Sequence, residues 1–269
     1  MTAYPFIDET ARQRILAELD RIEREEDVRI LLAVESGSRA WRFPSRDSDY
    51  DVRFVYVRPI EEYLALKPKR DVIERPIDDV LDVSGWDLRK AFGLAVSTNG
   101  ALLEWLNSPI RYRSDDPDCV RLGEFARSTA DLTDLSEHYY HSASRIFADI
   151  SVSGDSAKLK KYCYALRTVL AYLWLRWREE VPPMDLPSLL TGLTLSEPVR
   201  STISELVAKK ADATERDTIP RNAVLDALIA KVLGKSRRRF ESLDRKEVQA
   251  KADALFTSIV INAFEARTR

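Results

Sequence analysis

Val34-Glu-Ser-Gly-Ser-Arg-Ala-Trp-Arg-Phe-Pro-Ser-Arg-Asp-Ser-Asp-Tyr-Asp-Val-Arg-Phe-Val-Tyr-Val57 is the stretch on which the reading of the chain turns. It opens at the end of an apolar strand, Ile30 to Val34, breaks at Gly37-Ser38, and re-enters a strand that carries Asp49 and Asp51. Successive strand side chains alternate faces, so these two aspartates are expected on one face, with Val52, Phe54 and Tyr56 on the other, buried one. Two carboxylates side by side repel unless a cation lies between them, and the oxygen-loving ion that suits paired aspartates plus phosphate oxygens is Mg²⁺. Gly37 permits a backbone that bulkier residues resist, and the amides of Ser38 and Arg39, with the Ser38 hydroxyl, can donate to a phosphate. A phosphate cradle followed by Asp-x-Asp on a strand is minimal equipment for metal-assisted phosphoryl or nucleotidyl transfer. Read alone, the same residues also fit a common turn and a solvated charged loop.

Gly37-Ser38 followed by Ser48-Asp49-Tyr50-Asp51 resembles the Gly-Ser…Asp-x-Asp motif of the DNA polymerase β-type nucleotidyltransferase superfamily. The resemblance narrows when later blocks are added: Gly85-Trp86-Asp87-Leu88-Arg89-Lys90, Leu103-Glu104-Trp105-Leu106 with Ser108-Pro109, and Lys160-Lys161-Tyr162 with Ala165-Leu166-Arg167. In that order they are similar to the predicted nucleotidyltransferases of the YcgL/RlaP type. Thr168 departs from the proline expected there, at a position that carries no chemistry. The resemblance implies an α+β chain: a mixed-sheet nucleotidyltransferase domain, then helices. It also implies two Mg²⁺ ions held by Asp49 and Asp51, a third carboxylate from a neighbouring strand, and a nucleoside triphosphate substrate, ATP among the possibilities. Asp82, between Leu81 and Val83 in a short apolar run, is the candidate third acid and general base, with Asp78 and Asp79 less well placed. A solvent-facing strand acid is the alternative.

The chain has 269 residues, 45% hydrophobic and 32% charged, with a net charge of −2 at pH 7. That length suits two domains with a core each. No long uncharged apolar run suggests a membrane span, and the N-terminus has neither the basic region nor the apolar core of a secretory signal. Cys119 and Cys163 are far apart and lack metal-ligand spacing, which points to a reducing compartment, the cytoplasm. The near-neutral charge gives no general bias toward polyanions, so a nucleic-acid partner has to meet a local patch.

Helical spacing over Asp8 to Glu26 predicts an amphipathic helix, and Val28 to Val34 a buried strand. Asp71 to Val83 holds one or two further strands, and Ser84 with Asp87 has the spacing of a capping box for a helix over 88–96. Arg89 and Lys90 then lie on its first turns, for phosphates or for salt bridges. The polar, proline-bearing run Ser114 to Asp118 divides the chain into a catalytic domain, 1–115, and an all-helical substrate-binding domain, 116–269. In the second, strands are expected to disappear, and Arg237 to Arg239 to form a solvated helix face. His138 and His141, one helical turn apart with no third ligand, suit packing or hydrogen bonding, with a substrate contact from His141 left open.

Along Lys158 to Glu179, Leu159, Cys163, Leu166, Leu170, Leu173 and Trp177 form an apolar seam. Lys160, Tyr164 and Arg167 share the opposite face at i, i+4 and i+7, with Lys161 beside them. The pattern fits a solvated basic face and a triphosphate grip equally; the family resemblance implies the grip, closing on Asp49 and Asp51 from the second domain. The expected reaction is transfer of a nucleoside monophosphate to an acceptor hydroxyl with release of pyrophosphate. An RNA end is the favoured acceptor; a protein or small-molecule acceptor, or a non-catalytic nucleotide- or RNA-binding module, are the alternatives.

Overall fold

A computed structural model describes residues 7–268 apart from 77–79 and 115. Asp78 and Asp79 therefore lie outside the described residues. In chain order the first elements are α1 (Glu9–Glu26), β1 (Arg29–Glu35), α2 (Gly37–Ala40), β2 (Tyr50–Val57), α3 (Ile60–Leu64), β3 (Val72–Glu74), β4 (Leu81–Asp87), α4 (Leu88–Val96), α5 (Gly100–Leu106) and α6 (Pro117–Ser128). There follow α7 (Leu132–Ser151), β5 (Ser156–Lys158), α8 (Leu159–Arg178), α9 (Leu186–Gly192), α10 (Glu197–Asp212), β6 (Thr218–Pro220), α11 (Ala223–Leu233) and α12 (Arg245–Thr268). The chain is thus a mixture of helices with a small mixed sheet. It divides into two compact units. The first takes in the chain up to Gly37, Asp49–Ala130 and the chain from Leu243; the second is Ser38–Ser48 with Asp131–Ser242. The 115/116 division drawn from sequence falls inside the first unit.

In the first unit a four-stranded sheet has the order β1-β2-β4-β3, with β2 and β4 parallel and the other pairs antiparallel. Parallel pairing of β2 with β4 brings residues 50–56 level with 81–87. Alternation then sorts the faces. Tyr50, Val52, Phe54 and Tyr56 join Leu81, Val83 and Ile73 in a core closed by Ile15, Leu19 and Ile22 of α1. Asp8 caps α1, its carboxylate accepting from the amides of Thr10 and Ala11. Gly85 is small of necessity, because a Cβ there would come within 2.1 Å of the Phe54 ring.

The opposite face of β4 is anchored by Trp86, which stacks on Trp105 of α5 at 3.6 Å between ring centroids. The capping box expected at Ser84 and Asp87 is not formed. Ser84 continues the strand, paired with Arg53 and Glu74, and Asp87 is itself the N-cap, accepting from the Arg89 amide. Arg89 lies over Tyr63 and Lys90 pairs with Asp71 at 3.0 Å, which are structural partners. Residues from α12 pack in this unit as well, Phe256 meeting Tyr63 and Phe92 edge-on.

The second unit is built on α7 and α8. Helix α8 is buried nearly all round, since Tyr162, Ala165, Val169 and Tyr172 are covered as well as the expected seam from Leu159 to Leu173. Two sequence expectations are overturned in this unit. Strands do occur: β5 and β6 pair antiparallel through Ala157 and Ile219. The run Arg237 to Arg239 is not helical; Arg237 pairs with Glu137 at 2.6 Å and Arg238 with Glu179. His141 lies 3.2 Å from Glu137 on an exposed turn of α7. Both cysteines are buried and outside any disulfide, and burial pushes the Cys163 thiol up to about 12. Among the described residues no helix is long and apolar enough to cross a membrane.

Candidate functional site

In the first unit the candidate carboxylates are placed by strand register. Asp51 on β2 is the lateral neighbour of Asp82 on the parallel strand β4, so both leave the sheet on the face opposite the α1 core. Each is about one-third exposed. Asp49 lies one residue before β2 and is exposed. The backbone of this corner is tied down from below. The Asp51 amide donates to Glu35 Oε1 at 3.0 Å, and the Ser36 amide donates to the Asp51 carbonyl at 2.8 Å. Glu35 is fully buried, its other oxygen accepting from the Tyr112 hydroxyl and its carbonyl from the Ser108 hydroxyl at 2.6 Å.

Gly37 follows at once, with φ +58°, in the left-handed region. A Cβ on Gly37 would fall 1.9 Å from Asp51 Oδ2, so the glycine leaves the space that the carboxylate occupies.

The Asp51 and Asp82 carboxylates share one cation. Arg53, two residues on from Asp51 and on the same strand face, places Nη2 3.0 Å from Asp51 Oδ1 and 2.7 Å from Asp82 Oδ2. Sequence reasoning assigned Arg53 no role, although the alternation that paired Asp49 with Asp51 also includes it.

A guanidinium held between two carboxylates shows that the pair accommodates positive charge at hydrogen-bond distance, and the donors are hard oxygens. Among the described residues no three His, Cys, Asp or Glu side chains form a metal-holding group. Mg²⁺ asks for less than that, because it keeps waters and is commonly bound by one or two carboxylates plus substrate phosphates. The residues present fit the ion.

In the second unit the segment after Gly37 is held by a buried polar cluster. Ser38 donates to Ser48 Oγ at 3.1 Å, and Arg39 to the Ser48 carbonyl at 2.6 Å. Glu215 Oε1 accepts from Ser45 at 2.6 Å, from Ser48 at 3.1 Å and from the fully buried Lys210 ammonium at 3.1 Å. Its Oε2 pairs with Lys160 at 2.8 Å. Burial alone would raise the Glu215 carboxyl, but hydrogen bonds from Lys160 and Ser45 and the charge of Lys210 outweigh it and hold the group at about 2. Burial likewise works against the Lys160 ammonium, yet the bond to Glu215 leaves it raised.

The basic stripe of α8 lies against this same segment. Arg167, 3% exposed, has its guanidinium over Trp41 at 4.4 Å from the ring centre and donates to the Met184 carbonyl at 3.0 Å. Tyr164 meets Trp41 edge-on at 4.9 Å, and Lys160 lies over the Tyr164 ring at 5.3 Å. Lys160, Tyr164 and Arg167 therefore do share a face. Lys161 belongs elsewhere, paired with Asp149 at 3.0 Å on an exposed surface. Trp177, expected in the buried seam, is 46% exposed near the end of the helix. Trp41, Lys210 and Glu215 went unassigned in the sequence. Trp41 stood inside the quoted motif, whereas nothing in the spacing of Lys210 and Glu215 marks them.

A family model described as RNA repair pathway DNA polymerase beta family, RlaP, matches residues 11–258. The chain is also similar to a protein of Bacillus subtilis (strain 168) described as uncharacterized protein YcgL, with 41% identity over 218 residues, which is 81% of this chain and 84% of that one. The matched span includes the Asp51 and Asp82 corner, the Ser38–Ser48 segment and α8, and the chain belongs to the RNA repair pathway DNA polymerase beta family.

Proposed function

We propose that this chain is a Mg²⁺-dependent nucleotidyltransferase that moves a nucleoside monophosphate from a nucleoside triphosphate to an acceptor hydroxyl, releasing pyrophosphate. The observation that carries the reading is the lateral pairing of Asp51 with Asp82 around one cation, beside a glycine whose missing side chain makes room for Asp51. Membership of the polymerase beta family supports it.

On this reading Asp49, Asp51 and Asp82 hold the metal, which when bound neutralises phosphate charge and lowers the pKa of the acceptor hydroxyl. The amides and hydroxyl of the Gly37-Ser38-Arg39 turn donate to the phosphates of the triphosphate. Asp82 orients the acceptor hydroxyl and takes its proton. Lys160, Tyr164 and Arg167 serve the triphosphate and its base. Residues 1–115 carry the chemistry, and the helical part of 116–269 receives substrate. The acceptor is an RNA end, in keeping with the RNA repair description of the family, and the reaction belongs to the cytoplasm.

The test is to incubate the chain with each triphosphate, labelled at the α-phosphate, together with Mg²⁺ and fractions of cell RNA, metabolites and protein. Pyrophosphate release with label in the RNA fraction is expected, and loss of both in Asp49→Asn and Asp51→Asn. Triphosphate binding without pyrophosphate from any fraction would turn the reading to a non-catalytic binding module.

A further inference from the structure

We infer that Arg53 is the resident counter-cation of the carboxylate pair, which a divalent ion must displace, and that it thereby couples metal binding to triphosphate binding. The inference rests on the reading of Asp51 and Asp82 as metal ligands. Parallel neighbours in register put the two carboxylates side by side, where their charges repel. Arg53 Nη2 relieves that repulsion at 3.0 Å and 2.7 Å, and its charge is permanent. The guanidinium has a second, independent hold. Nη1 donates to the carbonyls of Asp82 at 2.8 Å and Val52 at 3.1 Å, bonds that do not involve the carboxylates. It can release the carboxylates through Nη2 and stay attached to the sheet through Nη1.

Two consequences follow from charge alone. A bare divalent ion approaching Asp51 and Asp82 meets a pair already neutralised in part, so its affinity is low. A triphosphate brings negative charge of its own, which offsets Arg53 and leaves the freed Nη2 a phosphate to donate to. Metal and triphosphate then each raise the other's affinity, as linkage requires.

The experiment is a Mn²⁺ titration followed by electron paramagnetic resonance, with and without a non-hydrolysable triphosphate, on the whole chain and on Arg53→Gln, Arg53→Lys and Asp51→Asn. Without triphosphate, Arg53→Gln is expected to bind Mn²⁺ about tenfold more tightly than the unaltered chain, because a full positive charge has left the pair. Arg53→Lys restores the weak affinity, and Asp51→Asn loses the site. The enhancement of Mn²⁺ affinity by triphosphate should shrink in Arg53→Gln. A melting curve in chelator gives a readout without metal: Arg53→Gln melts lower, and Mn²⁺ recovers it.

Equal Mn²⁺ affinity in Arg53→Gln and the unaltered chain, with loss in Asp51→Asn, would overturn the inference and leave the metal site standing. If Asp51→Asn leaves Mn²⁺ binding unchanged, the metal-site reading and the inference fall together. The unaltered chain decides the point even if Arg53→Gln does not fold. Its Arg53 Nε–H resonance should shift on addition of Mg²⁺ but not Na⁺, and an unmoved resonance in a Mg²⁺-saturated protein would contradict the displacement.

Discussion

The carboxylate corner of the sheet, in the first unit, and the basic face of α8, in the second, are built by different rules. On β2 a side chain has two directions open to it. Once Tyr50, Val52, Phe54 and Tyr56 are in the core, Asp51 and Arg53 have only the other face, and parallel register delivers Asp82 beside them. Helix α8 has no such simple opposition, because most of its circumference is covered. A cation on α8 is therefore as much a packing element as a ligand. Arg167 serves as one through its stacking on Trp41 and its bond to Met184, at a burial where an unpaired guanidinium would be costly.

The largest effect is expected at Gly37. Gly37→Ala meets a left-handed backbone and the Asp51 carboxylate at once, so the carboxylate corner should fail with little loss of fold. Turnover is expected to drop about a hundredfold or more, as for an ångström-scale misplacement of a reacting group. Stability should fall by only about 1–2 kcal/mol, the cost of left-handed strain. Steady-state kinetics set beside a denaturant titration would separate the two, and a variant with full turnover would sever Gly37 from the site.

Next in size is the second unit's buried cluster, where stability rather than chemistry should respond. Lys210→Met leaves Glu215 short of one of its partners in a largely buried setting, and about 3 kcal/mol of stability is expected to go. Urea unfolding measures it, and a loss below about 1 kcal/mol would show that Lys160 and the serines suffice.

Acid sharpens the same point. Glu215 titrates at about 2 in the folded chain against an ordinary 4.5, so the unfolded chain binds the extra proton first as the pH falls. Its stabilising contribution is complete above pH 4.5 and is lost as pH falls from there toward 2. The stability difference between the unaltered chain and Glu215→Gln should therefore narrow across that window, and a constant difference would contradict the assignment. The smallest effect belongs to Trp177. Trp177→Ser at an exposed position should change stability by no more than about 0.5 kcal/mol.

How much of this was legible in the sequence follows the same division. The Asp51 face comes from period-two patterning and the first helix from helical spacing, and both stand where that patterning put them; that Asp82 lies on a neighbouring strand came from the family resemblance, and β2–β4 pairing places it there. Arg53 shares the Asp51 face by the same alternation, but the bridge it makes depends on Asp82, 29 residues away, which alternation along one strand does not place beside it. The start of α4 misled: Ser84 and Asp87 have capping-box spacing, yet pairing with Arg53 and Glu74 keeps Ser84 in the strand. On α8 the seam from Leu159 to Leu173 is buried, while Trp177 is exposed because the seam runs out near the helix end. The Lys210–Glu215 cluster joins residues more than 160 positions from Ser45 and Ser48, and no local spacing announces such a contact. Helix α12 is similar: it packs on α3, α4 and α6, and no local spacing names those partners.

On the proposed function, Asp51 and Asp82 together hold the reacting metal. This is tested most directly by a crystal structure of the chain with Mn²⁺ and a non-hydrolysable triphosphate, read from the anomalous scattering of Mn²⁺. A peak is expected about 2 Å from a carboxylate oxygen of Asp51 and of Asp82, with Arg53 Nη2 withdrawn from both. A peak elsewhere, with Arg53 still bridging the two carboxylates beneath a bound triphosphate, would contradict it.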